Sequence, residues 1–582
     1  MNDDMILLAD NGRTDWKIVI PKQAIASERH AAEELKHFLK EISQASFPIV
    51  EDDLPKQDKL IILGLKNRLL EPALSSDQES DLGREGFIMR ANANIVVIAG
   101  GQPRGTLYGV YSFLEKKLGC RWYYRGVSNI PIRSCLWINH FDEMQKPIFE
   151  YRDPYFRGSI DPDWHARNKS NSDFVDLQNI HGKKVKYAYF VHSFNHLMPV
   201  DVHFSEHPEY YSEIDGQRIS DRTQLCLTNP EVLKICTERV KELLRHDPDV
   251  SIVSVSQNDW INPCQCEKCS KLDEMEGSHS GSLIHFVNAL AEEVEQEFPD
   301  VAIDTLAYQY TRKPPKHVRP RDNVIVRLCS IECCFSHPLE TCTELGSFRK
   351  KDWASSSFKD DLIAWSIICK RLHIWDYVTN FANYTQPFPN FHVLQRNIQF
   401  FARNHVTGIF EEGNASRGES SEFDQLRQYV LAKLLWNPDE DLDLLVNEFL
   451  NAYYGASAAL IRKYFDLAEA QVDREHVHMG IYDPPDSDYF DHDFVAKAFE
   501  IFEAAKKVAD NEEVLRRVIT AELPVRYLNI QNMSSEDPDR KMLIDQFLAD
   551  VKAAGIVEIR ESRPLDISAD LLYKGVIQRP NA

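Results

Sequence analysis

Residues 249–269 have the sequence DVSIVSVSQNDWINPCQCEKC, in which a short apolar segment leads directly into a cluster of reactive side chains. β-Branched residues alternate with serine over 252–256, as in a short strand of a packed sheet. Amide, carboxylate and indole groups follow at once in 257–260, so we expect an active site where this strand ends. Residues 283–298 then carry apolar side chains on one helical face, which completes a unit of strand, loop and helix.

The same alternation of strands and helices extends through the whole central region. It predicts a parallel sheet covered by helices, and the number of strands fits a (β/α)8 barrel of the TIM type. In such a barrel the catalytic groups lie at the carboxyl ends of the strands. An eighth strand is expected between Val200 and Leu227. The other seven predicted strands are residues 149–156, 188–191, 252–256, 302–307, 324–328, 372–375 and 408–410.

Three domains are predicted from the order of these segments, so that the fold class is α/β multidomain. Residues 1–145 alternate helices and strands and form an N-terminal α/β domain. Residues 146–436 form the barrel, and residues 437–582 contain helix-period segments and form an all-helical C-terminal domain. Residues 476–493, rich in Pro, Asp and Tyr, are either a linker or a loop laid against the barrel mouth.

Charge and composition exclude several classes of function. The chain of 582 residues has a formal net charge of −23, which argues against a nucleic-acid partner. No apolar run approaches the roughly 20 residues that cross a bilayer, so no membrane partner is expected. The first residues lack the pattern of a signal peptide, which predicts a cytoplasmic protein, or a secreted or periplasmic one if a signal was removed. The 12 cysteines fit a reducing compartment.

Asn258 and Asp259 are the leading catalytic candidates. A glycosidase that uses the N-acetyl group of its substrate as the nucleophile needs one residue to hold the acetamide and a neighbouring acid to protonate the leaving oxygen. An amide next to a carboxylate supplies both groups. The alternative is that Asp259 caps a turn and Asn258 makes a local hydrogen bond.

Carboxylates also follow later strands, at Glu332 and at the pair Glu411 and Glu412. Paired carboxylates are usual in glycoside hydrolysis, and we predict catalytic roles for Glu332 and Glu412. The alternatives are an ion pair of Glu332 with an arginine such as Arg312 or Arg327, and an outward, solvent-facing orientation for one glutamate of the pair.

Substrate contacts are expected from polar and aromatic side chains at the strand ends, because aromatic faces suit the apolar faces of sugar rings. Aromatic residues at strand ends fit an ordinary core equally well. His192 and His196 have the spacing of a helical metal pair, but their neighbours indicate a strand end, which favours hydroxyl binding. The predicted substrate-binding residues are Arg157, His192, Trp260, Tyr308, Tyr310, Trp375, Asp376, Tyr377 and Glu411.

Three closely spaced cysteines, Cys264, Cys266 and Cys269, are candidate metal ligands. A closed structural zinc site needs four ligands, so a fourth must come from elsewhere in the chain. Such a zinc would fix the loop after Asp259 and take no part in the chemistry, which requires no cofactor. The alternative is three reduced thiols. The candidates for the fourth ligand are Cys226, Cys333, Cys334, Cys342 and His279.

Several separated motifs occur in a characteristic order: SVSQNDWINPCQCEKCSKLDEMEGSHSGSLIHFVNALAEEV, TLAYQYTRKPP, RPRDNVIVRLCSIECCFSHPL, IWDYVTNFANY and LAKLLWNPDEDLDLLVNEFLNAYYG. Together, over about residues 150–455, they resemble proteins with the domain of unknown function 4838 (DUF4838). Part of that group is classified as glycoside hydrolase family 163, endo-β-N-acetylglucosaminidases that act on complex N-glycans. GTLYGVYSFLEKKLGCRWY also resembles the α/β domain that precedes the barrel in family 20 hexosaminidases and α-glucuronidases. The resemblance implies that domain followed by a TIM barrel.

Three functions follow from these observations. The first is a glycoside hydrolase of the retaining β-N-acetylglucosaminidase type, endo-acting or otherwise, that acts on N-glycan-type oligosaccharides by substrate-assisted catalysis. The second is a uronidase or other glycosidase with two enzyme carboxylates from among Asp259, Glu332, Asp376 and Glu412. The third is a glycan-binding protein without activity. In each case the expected partner is a glycan.

Overall fold

The computed structural model describes residues 5–53, 55, 59–70, 74–344, 357–418 and 420–576. Within these ranges, no helix combines the length and the apolar character that crossing a bilayer requires. Five short 3-10 helices lie at Arg157–Ser159, Asn179–His181, Pro208–Tyr210, Gln309–Thr311 and Gly455–Ser457.

The N-terminal region contains a mixed six-stranded sheet whose strands lie in the order 141–145, 87–92, 95–100, 60–63, 17–20 and 49–51. The tight turn between the strand 95–100 and the helix 105–116 needs its glycines, because a Cβ atom on Gly100 would lie 2.3 Å from the backbone of Gly105. The elements are β1 (Met5–Asp10), β2 (Lys17–Ile20), α1 (Ala26–Ser43), β3 (Ile49–Glu51), β4 (Leu60–Leu63), α2 (Ser76–Leu82), β5 (Phe87–Asn92), β6 (Ile95–Gly100), α3 (Gly105–Lys116), β7 (Arg121–Tyr124), β8 (Val127–Asn129), β9 (Cys135–Asn139) and β10 (Phe141–Gln145).

The central region is a half-barrel, a curled sheet of seven parallel strands in the order 151–155, 406–412, 371–377, 324–329, 302–307, 252–254 and 187–188. Its elements are β11 (Tyr151–Tyr155), α4 (Pro162–Arg167), β12 (Tyr187–Ala188), α5 (Phe194–Leu197), α6 (Val200–His203), β13 (Glu213–Ile214), β14 (Gln217–Arg218), α7 (Pro230–His246), β15 (Ile252–Ser254), α8 (Glu267–Glu276), α9 (Ser280–Glu295), β16 (Ala302–Ala307), β17 (Val324–Cys329), α10 (Phe358–Ile368), β18 (Arg371–Tyr377), α11 (Phe391–Arg403), β19 (Val406–Glu412) and α12 (Asp424–Trp436).

The predicted eighth strand between Val200 and Leu227 is wrong. Those residues form short helices and the β13–β14 hairpin, which pairs within itself. The two edge strands are instead linked through residues 171–173. The N–H of Asn171 donates to the carbonyl of Arg152 at 3.3 Å, and the N–H of Val185 donates to the carbonyl of Asn171 at 3.0 Å. The half-barrel therefore uses an irregular segment where a regular (β/α)8 barrel has a strand.

Alternate residues of the parallel strands face the inside of the half-barrel, where aromatic side chains surround a buried ion pair. The guanidinium of Arg327 contacts both carboxylate oxygens of Asp304, at 2.8 and 3.1 Å. It also lies 4.3 Å from the ring centroid of Phe190. Arg327 is thus committed to Asp304, and Glu332 has a different partner. This packed interior supports the side chains at the mouth, the open end formed by the carboxyl ends of the strands.

The described residues after 437 form helices and no strands, as predicted; the exact domain boundaries stay predictions. For residues 476–493 the sequence predicts either a linker or a loop against the barrel mouth, and the structure shows the loop. The N–H groups of Phe335 and Phe381 donate to the carbonyls of Met479 and Ile481, both at 2.8 Å. The helices are α13 (Leu442–Tyr454), α14 (Ala458–Val472), α15 (His492–Val508), α16 (Glu512–Asn532), α17 (Arg540–Ala553) and α18 (Leu565–Tyr573).

Candidate active site

The carboxyl ends of the parallel strands lie at one end of the half-barrel, as in enzymes of the barrel class. Side chains alternate along each strand, so alternate residues of neighbouring strands meet inside. At the mouth this rule brings together Tyr308, Trp375, Tyr377 and Glu412. The rings of Trp375 and Tyr377 stack with their centroids 6.3 Å apart.

Asp259 is exposed at this mouth. Its Oδ1 accepts a hydrogen bond from the hydroxyl of Tyr308 at 3.0 Å. The amide of Gln309 donates to the same hydroxyl at 2.9 Å, which fixes the direction of the Tyr308 O–H. Burial, and after it the charge of Asp259, hold the pKa of Tyr308 well above its usual range, so Tyr308 remains a donor.

Glu412 supplies a second carboxyl group, half-buried at the end of β19. The indole N–H of Trp375 donates to its Oε2 at 2.7 Å. Burial raises the pKa of Glu412 to about 8, the Trp375 hydrogen bond acts in the opposite direction, and the charge of Glu561 raises the pKa further. At neutral pH Glu412 therefore carries a proton that it can donate to a leaving group.

A third carboxyl group, that of Glu561, comes from the C-terminal region and was not predicted. The N–H of Glu561 donates to the carbonyl of Phe381 at 3.1 Å, which holds the segment against the mouth. Burial and the charge of Asp259 raise the pKa of Glu561. It lies in the segment RESRPL, after the helix α17, with no strand in front of it. A prediction that takes its candidates from strand ends therefore could not include Glu561.

His192 contributes an imidazole of fixed orientation. Its Nδ1 lies 2.7 Å from the carbonyl oxygen of Gln257. A carbonyl can only accept, so Nδ1 carries the hydrogen and Nε2 is the acceptor nitrogen. The ring centroid lies 6.0 Å from that of Tyr308, the residue whose hydroxyl donates to Asp259. This geometry suits hydroxyl binding, the role predicted for His192.

Two predicted binding residues lie at strand ends with exposed side chains. Trp260 is 42% exposed, next to Asp259 in the chain. Arg157 is exposed after β11, and its charge and that of Glu412 both act on the hydroxyl of Tyr155. Both side chains are accessible to a ligand that enters the mouth.

The structure favours the alternative interpretation for Asn258. Its side chain is buried, Oδ1 accepts from the N–H of Asn195 at 3.0 Å, and Nδ2 donates to the carbonyl of Thr223 at 3.0 Å. An amide that braces two loops in this way is not available to hold an acetamide. Of the predicted pair, only Asp259 is exposed.

Glu332 likewise follows its alternative. It is buried and forms an ion pair with Arg312 at 3.3 Å, and Arg312 also contacts Asp361 at 2.8 Å. The cation balances two carboxylates behind the strand end. This is the ion pair with an arginine that the sequence offers as the alternative for Glu332, and its catalytic role stays a prediction.

Three further predicted residues lie away from the mouth. Asp376 and Glu411 are paired on neighbouring strands and, by alternation, face the opposite side of the sheet from Trp375 and Glu412. Both are buried, and burial, followed by the charge of Asp376, keeps the pKa of Glu411 well above its usual range. Tyr310 packs on the ring of His279, with centroids 5.9 Å apart, beside the cysteine cluster.

The cysteine cluster gains its fourth member from Cys226, one of the predicted candidates. The sulfur of Cys226 lies 3.7 Å from that of Cys266 and 3.9 Å from that of Cys269, and Cys264 completes the group. Four thiolates around a zinc ion, with Zn–S bonds of about 2.3 Å, have sulfurs about 3.8 Å apart. The donor set and its spacing therefore fit a structural zinc, which this site would hold next to the loop that carries Asp259.

A family model described as "Domain of unknown function (DUF4838)" matches residues 122–466, and one described as "Glycosyl hydrolase family 67 N-terminus" matches residues 12–113. The first bears out the predicted resemblance to that domain, and the second falls within the predicted N-terminal domain. The narrower resemblance to glycoside hydrolase family 163 stays a prediction. No curated protein is significantly similar in sequence.

A family GH115 4-O-methyl-alpha-glucuronidase with specificity for decorated arabinogalactans superimposes with a TM-score of 0.57 at 13% identity, over 100% of this chain and 81% of that chain. At this identity the likeness is one of fold. A GH20 exo-beta-N-acetylglucosaminidase from Vibrio harveyi gives a TM-score of 0.41 at 11% identity, over 81% of this chain and 76% of that chain, an overlap too weak to argue from.

Proposed function

Because the chain belongs to the DUF4838 family, whose model spans the whole half-barrel, we propose that it is a glycosidase with its active site at the mouth. The observation that carries the proposal is Glu412. It lies inside the mouth with a pKa raised to about 8 and is oriented by Trp375; the charge of Glu561 acts on it, and that of Asp259 acts in turn on Glu561. Glycoside cleavage needs such a combination, one carboxyl group that holds a proton and another that does not.

In this proposal Glu412 protonates the oxygen of the leaving group as the glycosidic bond breaks. Asp259, held by the hydroxyl of Tyr308, faces the sugar ring and stabilises the positive charge that develops at the anomeric carbon. The stacked rings of Trp375 and Tyr377 form an apolar wall beside Glu412, which suits a pyranose face. His192 contributes Nε2 as an acceptor for a sugar hydroxyl.

The finer proposal is a retaining β-N-acetylglucosaminidase that acts on N-glycan-type oligosaccharides through the acetamide of its substrate. In this proposal the residue that would hold this group is Asp259 and not Asn258. Asn258 is committed to the backbone of two loops, whereas the exposed carboxylate of Asp259 can accept the acetamide N–H. Glu412 would then be the acid, and no enzyme nucleophile would be needed.

A second candidate is a uronidase, and Arg157 favours it. Its exposed guanidinium follows the first strand of the half-barrel. The charges of Arg157 and Glu412 both shift the pKa of Tyr155, so the two side chains lie on the same side of the mouth. Arginine pairs well with a carboxylate, such as that of a uronic acid. In this case Asp259 or Glu561 would provide the second catalytic carboxyl group.

The proposal is tested with Glu412→Gln and a matched control, Glu411→Gln. We expect Glu412→Gln to lower kcat at least about a hundredfold on glycosides with poor leaving groups, because it removes general-acid catalysis. Aryl glycosides whose leaving groups need no proton should be affected much less. Glu411→Gln replaces a buried carboxyl group on the other side of the sheet and should leave kcat nearly unchanged.

Equal activity of wild type and Glu412→Gln on every substrate would remove Glu412 from the mechanism. Sugar binding without turnover by the wild type would support the glycan-binding alternative. The two finer candidates separate on substrate: an acetamide mechanism requires 2-acetamido glycosides and is inhibited by thiazolines, which mimic its cyclised intermediate. A uronidase requires the sugar carboxylate, and its rate should fall most when Arg157 is replaced by alanine.

A further inference from the structure

A second group of metal-ligating side chains lies outside the site described above, where the helical region meets the mouth. Cys334, His337 and Cys342 come from the loop after β17, and His478 comes from the segment between α14 and α15. The four ligand atoms all lie within 4.8 Å of one another. The sequence analysis names Cys334 and Cys342 only as candidates for the fourth ligand of the Cys264, Cys266 and Cys269 site. The sequence gives no sign that His478 lies close to these two cysteines in the fold.

The distances fit a tetrahedral metal site. Nδ1 of His337 lies 3.5 Å from the sulfur of Cys334 and 4.0 Å from that of Cys342, and Nδ1 of His478 lies 3.7 Å from the sulfur of Cys342. With Zn–S bonds of about 2.3 Å and Zn–N bonds of about 2.0–2.1 Å, tetrahedral geometry places sulfur and nitrogen about 3.5 Å apart. Two histidines and two cysteines are also a common ligand set for structural zinc.

The surroundings orient His337 as a ligand. Its Nε2 lies 3.0 Å from the carbonyl oxygen of Arg474, which can only accept, so Nε2 carries the hydrogen. Nδ1 is then the nitrogen with a lone pair, and it faces the two sulfurs. A backbone carbonyl that fixes the ring in this way is the usual second partner of a histidine bound to a metal.

We propose that Cys334, His337, Cys342 and His478 bind a zinc ion, which fastens residues 474–483 to the loop after β17. The same two segments are already joined by backbone contacts, among them the N–H of Phe335 to the carbonyl of Met479 at 2.8 Å. Zinc adds a crosslink between parts of the chain about 140 residues apart, and such crosslinks stabilise mainly by restricting the unfolded chain.

The crosslink has a consequence for the mouth, because Tyr482 lies four residues after His478. The ring of Tyr482 contacts that of Phe381 with centroids 6.4 Å apart, and its hydroxyl is close enough to those of Tyr308 and Tyr377 to interact electrostatically. The zinc ion therefore holds one wall of the mouth in place. This consequence rests on the proposed function, whereas metal binding itself does not.

The test counts zinc in the purified full-length chain after growth with added zinc. We expect two zinc ions per chain, one in each site. His478→Ala should lose one of them, and the exposed neighbour His476→Ala, which is not a ligand, should keep both. Cys266→Ser combined with Cys269→Ser should lose the other. The loss in His478→Ala should also lower Tm and make the segment 474–491 easier to cleave by a protease.

Cobalt exchange of the wild type gives a second measurement that does not depend on the folding of a variant. Both sites should show thiolate-to-cobalt charge transfer, weaker in the site with two thiolates than in the site with four. One zinc per chain that disappears with the Cys266 and Cys269 substitutions would overturn the proposal. So would two zinc ions that both persist in His337→Ala and His478→Ala. Retention of both zinc ions with no glycosidase activity would refute the proposed function alone.

Discussion

Asn258 and Asp259 are neighbours in the chain, yet their side chains have different surroundings. Asn258 turns into the protein and bonds to two backbone segments, whereas Asp259 is exposed at the mouth. The sequence predicts the position of the pair correctly, because a strand ending in polar residues marks the end of a barrel strand. It cannot decide which of the two faces the mouth, because the partners of Asn258 are more than 30 residues away.

Substituting the two residues separately should therefore give opposite results. Asn258→Ala leaves the N–H of Asn195 and the carbonyl of Thr223 without their partner, which should reduce the free energy of unfolding by about 1–3 kcal/mol. Asp259→Asn should leave Tm nearly unchanged and lower kcat at least about a hundredfold. Thermal melts and steady-state kinetics of both variants measure this. A stable but inactive Asn258→Ala enzyme would restore the predicted acetamide role.

Glu411 and Glu412 show the same limit at the residue scale. The sequence places both glutamates at the end of a strand and leaves two arrangements open: both face the mouth, or one is turned outward into solvent. In the structure one of them is turned away from the mouth, as in the second arrangement. The outward residue, Glu411, lies under the helices and not in solvent. Side chains alternate with a period of two, so a shift of one residue in the predicted strand exchanges their roles.

At the scale of elements, the seven regular strands are the predicted ones, within a few residues at their ends. Their β-branched and aromatic residues give a signal that survives in a single sequence. The link between β11 and β12 has no such signal. Residues 171–173, with the sequence NSD, connect the edges partly through side chains, since Oδ1 of Asp173 accepts from the N–H of Tyr187 at 3.1 Å.

Asn171 should consequently be critical for stability although it lies outside the regular elements. Its amide accepts from the N–H of Arg152 at 2.9 Å and donates to Glu85 at 3.0 Å and to the carbonyl of Glu150 at 2.8 Å. Asn171→Ala should lower the free energy of unfolding by about 2–4 kcal/mol, because these buried groups lose their partner. Asn262→Ala, which removes one exposed hydrogen bond, is the control and should cost less than about 1 kcal/mol. Equal effects of the two in denaturant titrations would contradict the linking role.

At the scale of the whole molecule, buried charges join the N-terminal region to the half-barrel. Glu85 contacts Arg104 at 2.6 Å and Arg152 at 2.7 Å. Burial alone would raise the pKa of Glu85, but the charges of Arg152 and Arg104 outweigh it and hold the pKa at about 2. The sequence divides these regions by their patterns. It cannot predict the shared ion pairs, because each partner is an ordinary charged residue until the fold buries it.

In several other buried carboxyl groups the effect of burial outweighs that of any neighbouring cation. Burial raises the pKa of Glu412 to about 8, that of Asp153 to about 7 and that of Glu422 to about 7. In the unfolded chain these groups ionise near 4. Between that value and the folded pKa, the unfolded state releases a proton that the folded state keeps. The contribution of these groups to the free energy of unfolding is therefore largest below about pH 4 and is lost as the pH rises toward 8.

We therefore expect Tm to fall as the pH rises from 5 to 8. Each pKa unit of difference corresponds to about 1.4 kcal/mol, so that even a fraction of the shift for Glu412 amounts to a few kcal/mol. Below pH 4 stability falls again, because carboxyl groups with a lowered pKa, such as Glu85, become protonated and lose their ion pairs. The stability maximum is therefore expected near pH 5. Glu412→Gln, which removes one ionisable group, should match wild type at pH 5 and melt at a higher temperature than wild type at pH 8, although it lacks the general acid. A Tm difference between wild type and Glu412→Gln that stays the same from pH 5 to pH 8 would show that Glu412 does not titrate in this range in the folded protein, and Glu412 could not then be the proton donor.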